Sequence, residues 1–313
     1  MLIVVNANAR GGRARRSWRR VQAALAAAGV VFEARETSSE AHAQEVVAAA
    51  WEAGERRFVA AGGDGTVNGL LNLLLELDLE GAELGAIGLG SSNDFHKPGD
   101  PAGSLAGCPV RAGPASPVDV GYAAFRDEAG SERRRRFLIN ASLGVTARAN
   151  GRFNTAGRFL RMLKRIHVEL AILACACDAL VRLRPETLRL VRDDAPLEVL
   201  RTTNLAVLKR VHVAGGMRYD TPVALDDGRL AVNWIGDVGR WRLLRAVVNL
   251  YRGRFAGTPG TESWFARRLE VASDAPTWLE LDGEVWRTAR VAFSVQSAGI
   301  RLCAPGWSSG PKA

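Results

Sequence analysis

The stretch Phe58 to Thr66, FVAAGGDGT, indicates the fold class of this 313-residue chain. Its first four residues are apolar and are typical of a short buried strand, and the residues after the glycines have apolar side chains at helical spacing. A strand that passes through a glycine turn into a helix is typical of parallel sheets flanked by helices. Because ligands of such sheets bind at the carboxyl ends of the strands, we expect Gly62 to Thr66 to border a ligand site.

Neighbouring segments repeat this alternation of strand and helix. Leu2 to Asn6, Val30 to Glu36 and Leu84 to Leu89 are predicted strands, and patterns of helical spacing follow the first two. The segment Thr37 to Glu40, TSSE, has the spacing of a capping box and is predicted to begin the second helix, with Thr37 as its N-cap. The first third of the chain therefore predicts an α/β domain with a parallel sheet.

The composition of the sequence changes after His96, where proline and glycine become frequent. Five prolines between Pro98 and Pro117, mixed with glycines, support no long helix or central strand and mark a domain boundary. Beyond them, short alternating segments and two Asp-Gly pairs at expected hairpin turns predict a mainly antiparallel β domain. The predicted domains are 1–117, on which a tail at about 300–313 is expected to pack back, and 118–299, with a helical insertion at about 156–183.

Composition limits the class of protein. The chain is 47% apolar and 24% charged, as in a globular protein, and 42 Lys and Arg against 33 Asp and Glu give a net charge of +9. We expect a cytoplasmic protein, because no apolar run approaches the roughly 20 residues of a membrane span and the N-terminus lacks the features of a signal peptide. Four cysteines form neither a zinc pattern nor a disulfide framework. The positive charge favours an anionic partner, but no nucleic-acid recognition motif accompanies it.

The glycine turn has a chemical and a structural interpretation. Glycines bring backbone N–H groups close to phosphate oxygens, and the helix start adds a favourable dipole end. Asp64 would repel an anion, so beside a phosphate it would act through Mg²⁺ or face a hydroxyl. In the structural interpretation Thr66 caps the helix and Asp64 only accepts hydrogen bonds from backbone amides.

Several motifs together resemble the diacylglycerol kinase catalytic domain that bacterial lipid kinases share with sphingosine kinases. The motifs, in the family's order, are VVNANARGG, VAAGGDGTVNGLLNLLL, LGSSNDF, FLINASLG, AGGMRYDTPVALDDGRLAV and LELDGEVW. The resemblance implies a Rossmann-like parallel-sheet domain, as in NAD kinases and phosphofructokinases, followed by an antiparallel β-sandwich domain with a helical insertion. It also implies an ATP- and Mg²⁺-dependent kinase that transfers the γ-phosphate to a hydroxyl of a membrane lipid, diacylglycerol or a related one, for phospholipid biosynthesis.

The resemblance also implies roles for individual residues. Asp64 would position the catalytic Mg²⁺, Glu284 would be the general base, and Lys164 is the best match to a functional lysine. Asp227 would bind a structural Mg²⁺ together with main-chain carbonyls near Ala224 and Arg229. The residues that match nucleotide-contacting positions are Asn6, Thr37, Gly62, Gly63, Gly65, Thr66, Asn68 and Ser91.

Some features leave alternatives open. Asp227 and Glu284 each adjoin a glycine in what could be a simple turn, and the family's Ala-Arg is replaced by His96-Lys97-Pro98 after LGSSNDF. A kinase of soluble substrates like an NAD kinase, or a non-catalytic lipid- or nucleotide-binding protein on a degenerate kinase scaffold, are the rival hypotheses. The partners expected are ATP and a membrane lipid at the cytoplasmic membrane surface, and homodimerisation is left open. Arg133 to Arg136 is predicted to be an exposed loop, whereas Arg240-Trp241-Arg242 resembles an interfacial segment.

Overall fold

The structure is a computed structural model that describes residues 1–6, 13–99, 103–154 and 184–307. The helices are α1 (Arg13–Ala27), α2 (Glu40–Glu52), α3 (Asp64–Glu76), α4 (Val145–Asn154) and α5 (Arg240–Tyr251). The strands are β1 (Leu2–Val5), β2 (Glu33–Glu36), β3 (Arg57–Gly62), β4 (Glu83–Gly88), β5 (Ser104–Leu105), β6 (Cys108–Arg126), β7 (Glu132–Phe137), β8 (Asn140–Gly144), β9 (Glu186–Arg192), β10 (Glu198–Leu208), β11 (His212–Val213), β12 (Met217–Arg218), β13 (Leu230–Gly236), β14 (Thr261–Ala266), β15 (Arg268–Leu281) and β16 (Glu284–Trp307). The predicted insertion at about 156–183 lies outside the described residues.

The chain divides into two compact units. The first comprises Met1–Asp119 together with Ser297–Ala313, and the second comprises Val120–Gln296. Strands β6 and β16 each have residues in both units. No helix in the part of the chain that the structure describes is long and apolar enough to cross a membrane.

The first unit is built on a parallel sheet in the order β2-β1-β3-β4. Its four strands agree with the four sequence predictions, although β2 is shorter than predicted because only Glu33 to Glu36 pair with β1. Val110 and Arg111 of β6 add an antiparallel neighbour to β4, and Arg301 and Leu302 of β16 add a parallel one. Helix α1 packs on this sheet through Trp18 and the other apolar residues at its predicted spacing.

Helix α2 begins two residues later than the capping-box prediction. Its N-cap is Ser39, whose side chain accepts a hydrogen bond from the N–H of His42. Thr37 is therefore not the cap, and its backbone N–H instead donates to the carbonyl of Val5. Pairing with β1 extends β2 up to Glu36, which leaves the helix to start only after the chain has turned away from the sheet.

The second unit is an antiparallel β structure. Strands β14, β13, β10, β8, β15 and β16 pair in that order, and β9 pairs with both β10 and β15. Apolar side chains from these strands and from β6 and β7 form one core whose largest fully buried members are Phe137 and Phe293. Helix α5, which the sequence analysis noted only for its cations and tryptophan, buries Leu243, Ala246 and Leu250.

Two expectations about irregular segments were wrong. Arg133 to Arg136 forms most of β7, because it pairs in register with β6 from Gly121 to Arg126. The proline-rich stretch also enters a strand, since β6 continues through Pro109, Pro114 and Pro117. Pro114 and Pro117 lie between the residues of β6 that pair with β4 and those that pair with β7, so neither ladder requires their missing N–H.

Candidate active site

The carboxyl ends of the parallel strands lie at one edge of the first unit. Val5, at the end of β1, is level with Glu36 in β2 and with Ala61 in β3. The residues that follow these strands include Asn6 and Thr37, which were predicted to contact nucleotide. The sheet therefore brings Asn6, Thr37 and the glycine turn, which come at the ends of β1, β2 and β3, to the same edge.

Two glycine loops approach each other at this edge. Gly62 ends β3, and its carbonyl accepts hydrogen bonds from the N–H groups of Leu89 and Gly90 at 2.7 and 3.2 Å. A Cβ atom on Gly90 would lie only 2.6 Å from the Cα atom of Gly63. Glycine is required at position 90 because the two backbones are in contact. The GGDGT and LGSSNDF motifs thus form one structural element.

Asp64 joins these loops through its carboxylate. It is the first residue of α3, and its two oxygens accept hydrogen bonds from the backbone N–H groups of Asp94 and Phe95 at 3.1 and 3.0 Å. The structural interpretation predicted backbone amides as its partners, and the structure shows amides from a loop 30 residues further along the chain. Each oxygen accepts one of these bonds, and a carboxylate oxygen has two acceptor positions.

The electrostatics around Asp64 favour a cation. Burial raises the pKa of its carboxyl group, and the negative charge of Asp94 raises it further, whereas the amides of Phe95 and Asp94 and the charge of Lys97 lower it. Lys97 Nζ lies 2.7 Å from the Asp94 carboxylate. A cation placed against Asp64 would offset both the desolvation and the repulsion from Asp94.

The remaining predicted nucleotide residues have different surroundings. Asn6 donates from Nδ2 to Oγ1 of Thr66 at 3.2 Å, so Thr66 contacts the end of β1. Thr66 is not the helix cap, because the N-cap residue is Gly63. Asn68 is buried and accepts a hydrogen bond from Asn72. Ser91 is exposed, and a Cβ atom at Gly65 would meet no atom within 4 Å, which leaves open space at the first turn of α3.

The Asp-Gly-Glu motif of the second unit forms the predicted hairpin turn. Leu281 pairs with Glu284, and the two residues between them have positive φ angles of 47° at Asp282 and 93° at Gly283. Positive φ at both central residues is the signature of the two-residue turn that Asp-Gly favours. Glu284, the predicted general base, is the half-buried first residue of β16.

Two carboxylates hold this hairpin against the FLINASLG segment. Asp282 accepts three hydrogen bonds, from the backbone N–H groups of Leu138, Ile139 and Asn140, at 2.8 to 3.0 Å. Glu280 accepts from the side chain of Asn140 at 2.8 Å and from that of Ser142 at 2.7 Å. The FLINASLG and LELDGEVW motifs of this unit are therefore in direct contact.

Glu280 is the residue of this region that the sequence analysis missed. Burial raises its pKa to about 7 and the charge of Asp282 adds to the increase, while hydrogen bonds from Ser142, Gly283 and Asn140 lower it. The backbone N–H of Gly283 donates to its Oε1 at 2.6 Å. The alternation of strand residues could have indicated it, because Glu280 lies two residues before Asp282 and so on the same face.

The second Asp-Gly pair is not a hairpin turn, contrary to the prediction. Asp227 and Gly228 lie in bends before β13, and the preceding strand, β12, pairs with β11 instead. Asp227 accepts a hydrogen bond from the backbone N–H of Arg229 at 3.0 Å. The ammonium group of Lys209 lies 3.8 Å from its carboxylate and donates to the carbonyl of Ala224 at 3.2 Å.

The other predicted site residue, Lys164, lies outside the described residues. In the described ranges, no group of three or more His, Cys, Asp or Glu side chains is arranged to hold a metal ion. Asp64 and Asp227, predicted to act with Mg²⁺, are thus each without a preformed cage of side chains in this part of the chain. No local signal marks Lys209, because its partners are 15 to 20 residues away in the sequence.

The chain is similar to a solved structure and matches two family models. The structural alignment with a "putative diacylglycerol kinase" from Bacillus anthracis str. Sterne covers 96% of this chain and 94% of that one. The TM-score of this alignment is 0.71 and the sequence identity is 17%. The chain therefore has an α/β fold similar to that structure, with a C-terminal β-rich domain. Residues 1–120 match the diacylglycerol kinase catalytic domain, and residues 140–304 match the YegS C-terminal NAD kinase beta sandwich-like domain.

Two curated proteins are similar over nearly the whole chain. A "Probable lipid kinase YegS-like" of Stenotrophomonas maltophilia (strain K279a) is 28% identical over 89% of this chain and 85% of that protein. A protein of the same name from Xanthomonas campestris pv. campestris (strain 8004) is 26% identical over 88% of each. The chain belongs to the diacylglycerol kinase catalytic-domain family, and its enzyme class is lipid kinase. Membership of a kinase family implies the use of ATP.

Proposed function

We propose that this enzyme transfers the γ-phosphate of ATP, with Mg²⁺, to a hydroxyl of a membrane lipid such as diacylglycerol, in phospholipid biosynthesis. In this proposal the parallel sheet of the first unit is a Rossmann-like nucleotide-binding domain, and the second unit is a sandwich-like domain for the lipid. The observation that carries the proposal is the pair of glycine loops joined through Asp64 at the carboxyl edge of the parallel sheet. Ligands bind at this edge in open α/β sheets.

The edge suits a polyphosphate. Gly65 is exposed in the first turn of α3 and has open space beside its Cα atom, at the positive end of the helix dipole, where an anion is favoured. Asn6 and Thr66 are already hydrogen bonded to each other there. Thr37 follows β2, which is the neighbour of β1 in the sheet. Ser91 comes after β4 and is exposed. Nucleotide contacts at Gly62, Gly63 and Asn68 remain part of the proposal.

Asp64 suits a nucleotide-borne Mg²⁺ better than a resident one. It is a single carboxylate with unused acceptor positions, and burial together with Asp94 raises its pKa, as expected where a cation would be favourable. Mg²⁺ in phosphoryl-transfer sites is usually held by one or two carboxylates plus substrate phosphates and water. The ion would neutralise charge on the transferred phosphoryl group.

Glu284 is proposed to accept the proton of the lipid hydroxyl. The hairpin fixes its backbone, since Asp282 binds three amides of the 138–140 segment and Gly283 donates to Glu280. A half-buried carboxylate on such a rigid turn can be held in one orientation, which a general base requires. Lys164 is proposed to contribute a further positive charge.

An exposed face of α5 supports action at the inner surface of the membrane. The apolar side chains of Trp241, Leu244, Val248 and Tyr251 are exposed, Trp241 at 84%, and their spacing places them on one side of the helix. Exposed arginines at 242, 245 and 252 flank that side. An apolar stripe bordered by arginines is typical of helices that lie in the interface of an anionic membrane.

The direct test is transfer of radiolabel from ATP to lipid in vesicles that contain diacylglycerol. We expect labelled lipid from the wild type, and a fall of about 10²-fold or more in turnover for Glu284→Gln with nucleotide binding retained. Glu262→Gln is the matched control, because Glu262 is an exposed acid in the same unit. No labelled lipid under conditions where a known lipid kinase is active would contradict the proposal.

A second test addresses the membrane surface. Trp241→Ala should weaken co-sedimentation with anionic vesicles and leave nucleotide binding unchanged, because the stripe loses its largest apolar group. Leu197→Ala is the control, since Leu197 is 58% exposed but lies outside α5. Equal loss in the two variants would argue against α5 as the docking face.

A further inference from the structure

Lys209 is a lysine whose side chain has no exposed surface. It follows directly after β10, and its backbone N–H donates to the carbonyl of Ile139 at 2.9 Å, so the main chain is fixed beside β8. Lysine is almost never fully buried unless its charge is paired and hydrogen bonded. The surroundings of its ammonium group therefore have to supply negative charge and acceptors.

A single loop supplies them. The Lys209 ammonium donates to the carbonyl oxygens of Ala224 and Arg229, at 3.2 and 3.1 Å, and lies 3.8 Å from Oδ1 of Asp227. Three oxygens from a six-residue segment thus converge on one cationic nitrogen. These are the carboxylate and the neighbouring main-chain carbonyls to which the sequence resemblance assigned a structural Mg²⁺.

The ammonium and a Mg²⁺ ion cannot share these oxygens. Mg²⁺ requires oxygen ligands at about 2.0–2.1 Å in an octahedron, whereas the ammonium already lies in front of the same carbonyls at hydrogen-bond distance. A second cation is also present, because the guanidinium of Arg229 is 3.4 Å from the other oxygen of Asp227 and lies over the ring of Phe265. The single carboxylate of Asp227 is already faced by two positive charges. The residues therefore do not fit a divalent ion.

We propose that the Lys209 ammonium takes the place of a structural divalent cation in this chain, holding the 224–229 loop to the end of β10. A lysine is suited to this role because its three N–H donors can bind main-chain carbonyls without the full oxygen shell that a metal requires. The second unit accordingly folds around an internal cation that is covalently part of the chain. This inference does not depend on the proposed catalytic use of Mg²⁺.

The test is thermal unfolding of the full chain without nucleotide, in EDTA and in millimolar MgCl₂. We expect the Tm to be the same in both, and calorimetric titration of Mg²⁺ to show no binding that Asp227→Asn removes. A site filled to 100 times its Kd would instead raise the Tm by roughly 5–10 °C. A rise in wild type that is lost in Asp227→Asn would overturn the proposal, whereas a rise that Asp227→Asn retains comes from elsewhere in the chain and upholds it.

A second variant tests the lysine itself. Lys209→Met keeps most of the buried aliphatic volume and removes the charge, so we expect the Tm in EDTA to fall by roughly 10 °C and MgCl₂ to restore part of the loss. Arg229→Met is the matched control, because it removes the other cation and leaves the carbonyls bonded to Lys209; we expect a much smaller change. An unchanged Tm for Lys209→Met would contradict the proposal. If that variant does not fold, the wild-type titration still decides.

Discussion

The second unit contains the dipeptide Asp-Gly twice in contrasting surroundings. Asp282-Gly283 joins two paired strands, and its carboxylate accepts three backbone N–H groups from another segment. Asp227-Gly228 joins no paired strands, and its carboxylate lies beside the cations of Lys209 and Arg229. The carboxylate of the same dipeptide therefore binds backbone amides at one position and lies next to buried Lys209 at the other.

The contrast shows what decides the role of a carboxylate in a turn. An Asp-Gly pair favours positive φ wherever it occurs, and both glycines have it, at 93° for Gly283 and 67° for Gly228. What differs is the segment that faces the carboxylate, which is a set of three backbone amides in one case and a lysine in the other. The partner segments lie more than 140 residues away from Asp282 and 18 residues away from Asp227, as the difference 227 − 209 gives.

The largest effect should come from removing the two carboxylates. Asp282→Ala leaves three backbone N–H groups without this acceptor, two of them buried at Leu138 and Ile139, and we expect a loss of about 4 kcal/mol in the free energy of unfolding. Asp227→Ala should cost about 1–2 kcal/mol, because Lys209 keeps both carbonyl partners. Urea unfolding measures both values. Equal losses would show that the two turns do not differ as their contacts indicate.

The pH dependence should separate the turns next. Glu280, which accepts from Gly283, has its pKa raised from 4.5 to about 7 in the folded state. The folded protein binds this proton more tightly than the unfolded chain, so its contribution to stability is complete below about pH 4.5 and is lost as the pH rises to 7. Glu280→Gln removes the titrating group, so the loss of up to about 3 kcal/mol that wild type shows between about pH 4.5 and pH 8 should be absent from the pH profile of the variant.

Unfolding in urea at several pH values measures this difference. Glu262→Gln is the control, because Glu262 is exposed and should give the same pH profile as wild type. A Glu280→Gln profile parallel to that of wild type would show that Glu280 is ionised in the folded state across this range. Asp227 has no comparable buried acid among the partners described for it above.

The smallest effect concerns the glycines. Gly283→Ala should cost about 1–2 kcal/mol, because φ of 93° lies outside the region that alanine tolerates, while its Cβ would meet no atom within 4 Å. Gly228→Ala should cost about 1 kcal/mol or less, since φ of 67° is close to the left-handed helical region. Urea unfolding of the two variants provides the comparison. A larger loss at position 228 would contradict backbone strain as the cause.

Much of the first unit could be predicted from local pattern. The apolar runs of β1, β3 and β4 and the helical spacing around Trp18 report burial directly, and the glycine turn after β3 marks the ligand edge. Strand β7 could not be predicted in this way. Its sequence ERRRRF has no apolar alternation, and pairing with β6 makes it a strand despite its charge.

The candidate site was also only partly visible in the sequence. The motifs around Asp64 and Glu284 identified the segments, and the hairpin at Asp282-Gly283 followed from turn chemistry. The amides that Asp64 and Asp282 bind were not predictable, because each lies in a loop or strand far along the chain. Glu280 was overlooked because its burial is set by strands on both sides of β15.

The sequence by itself determined the alternation of strands and helices, the glycine loops and the lipid kinase family, because each of these is written in neighbouring residues whose spacing sets their conformation. Only the tertiary structure decided which oxygen faces which cation or amide. The two Asp-Gly pairs are identical in sequence. The electrostatic energy of each carboxylate, however, depends on the groups that folding places within about 4 Å of it. For this reason Asp282 accepts hydrogen bonds from backbone amides, whereas the oxygens expected around a metal at Asp227 surround the ammonium group of Lys209.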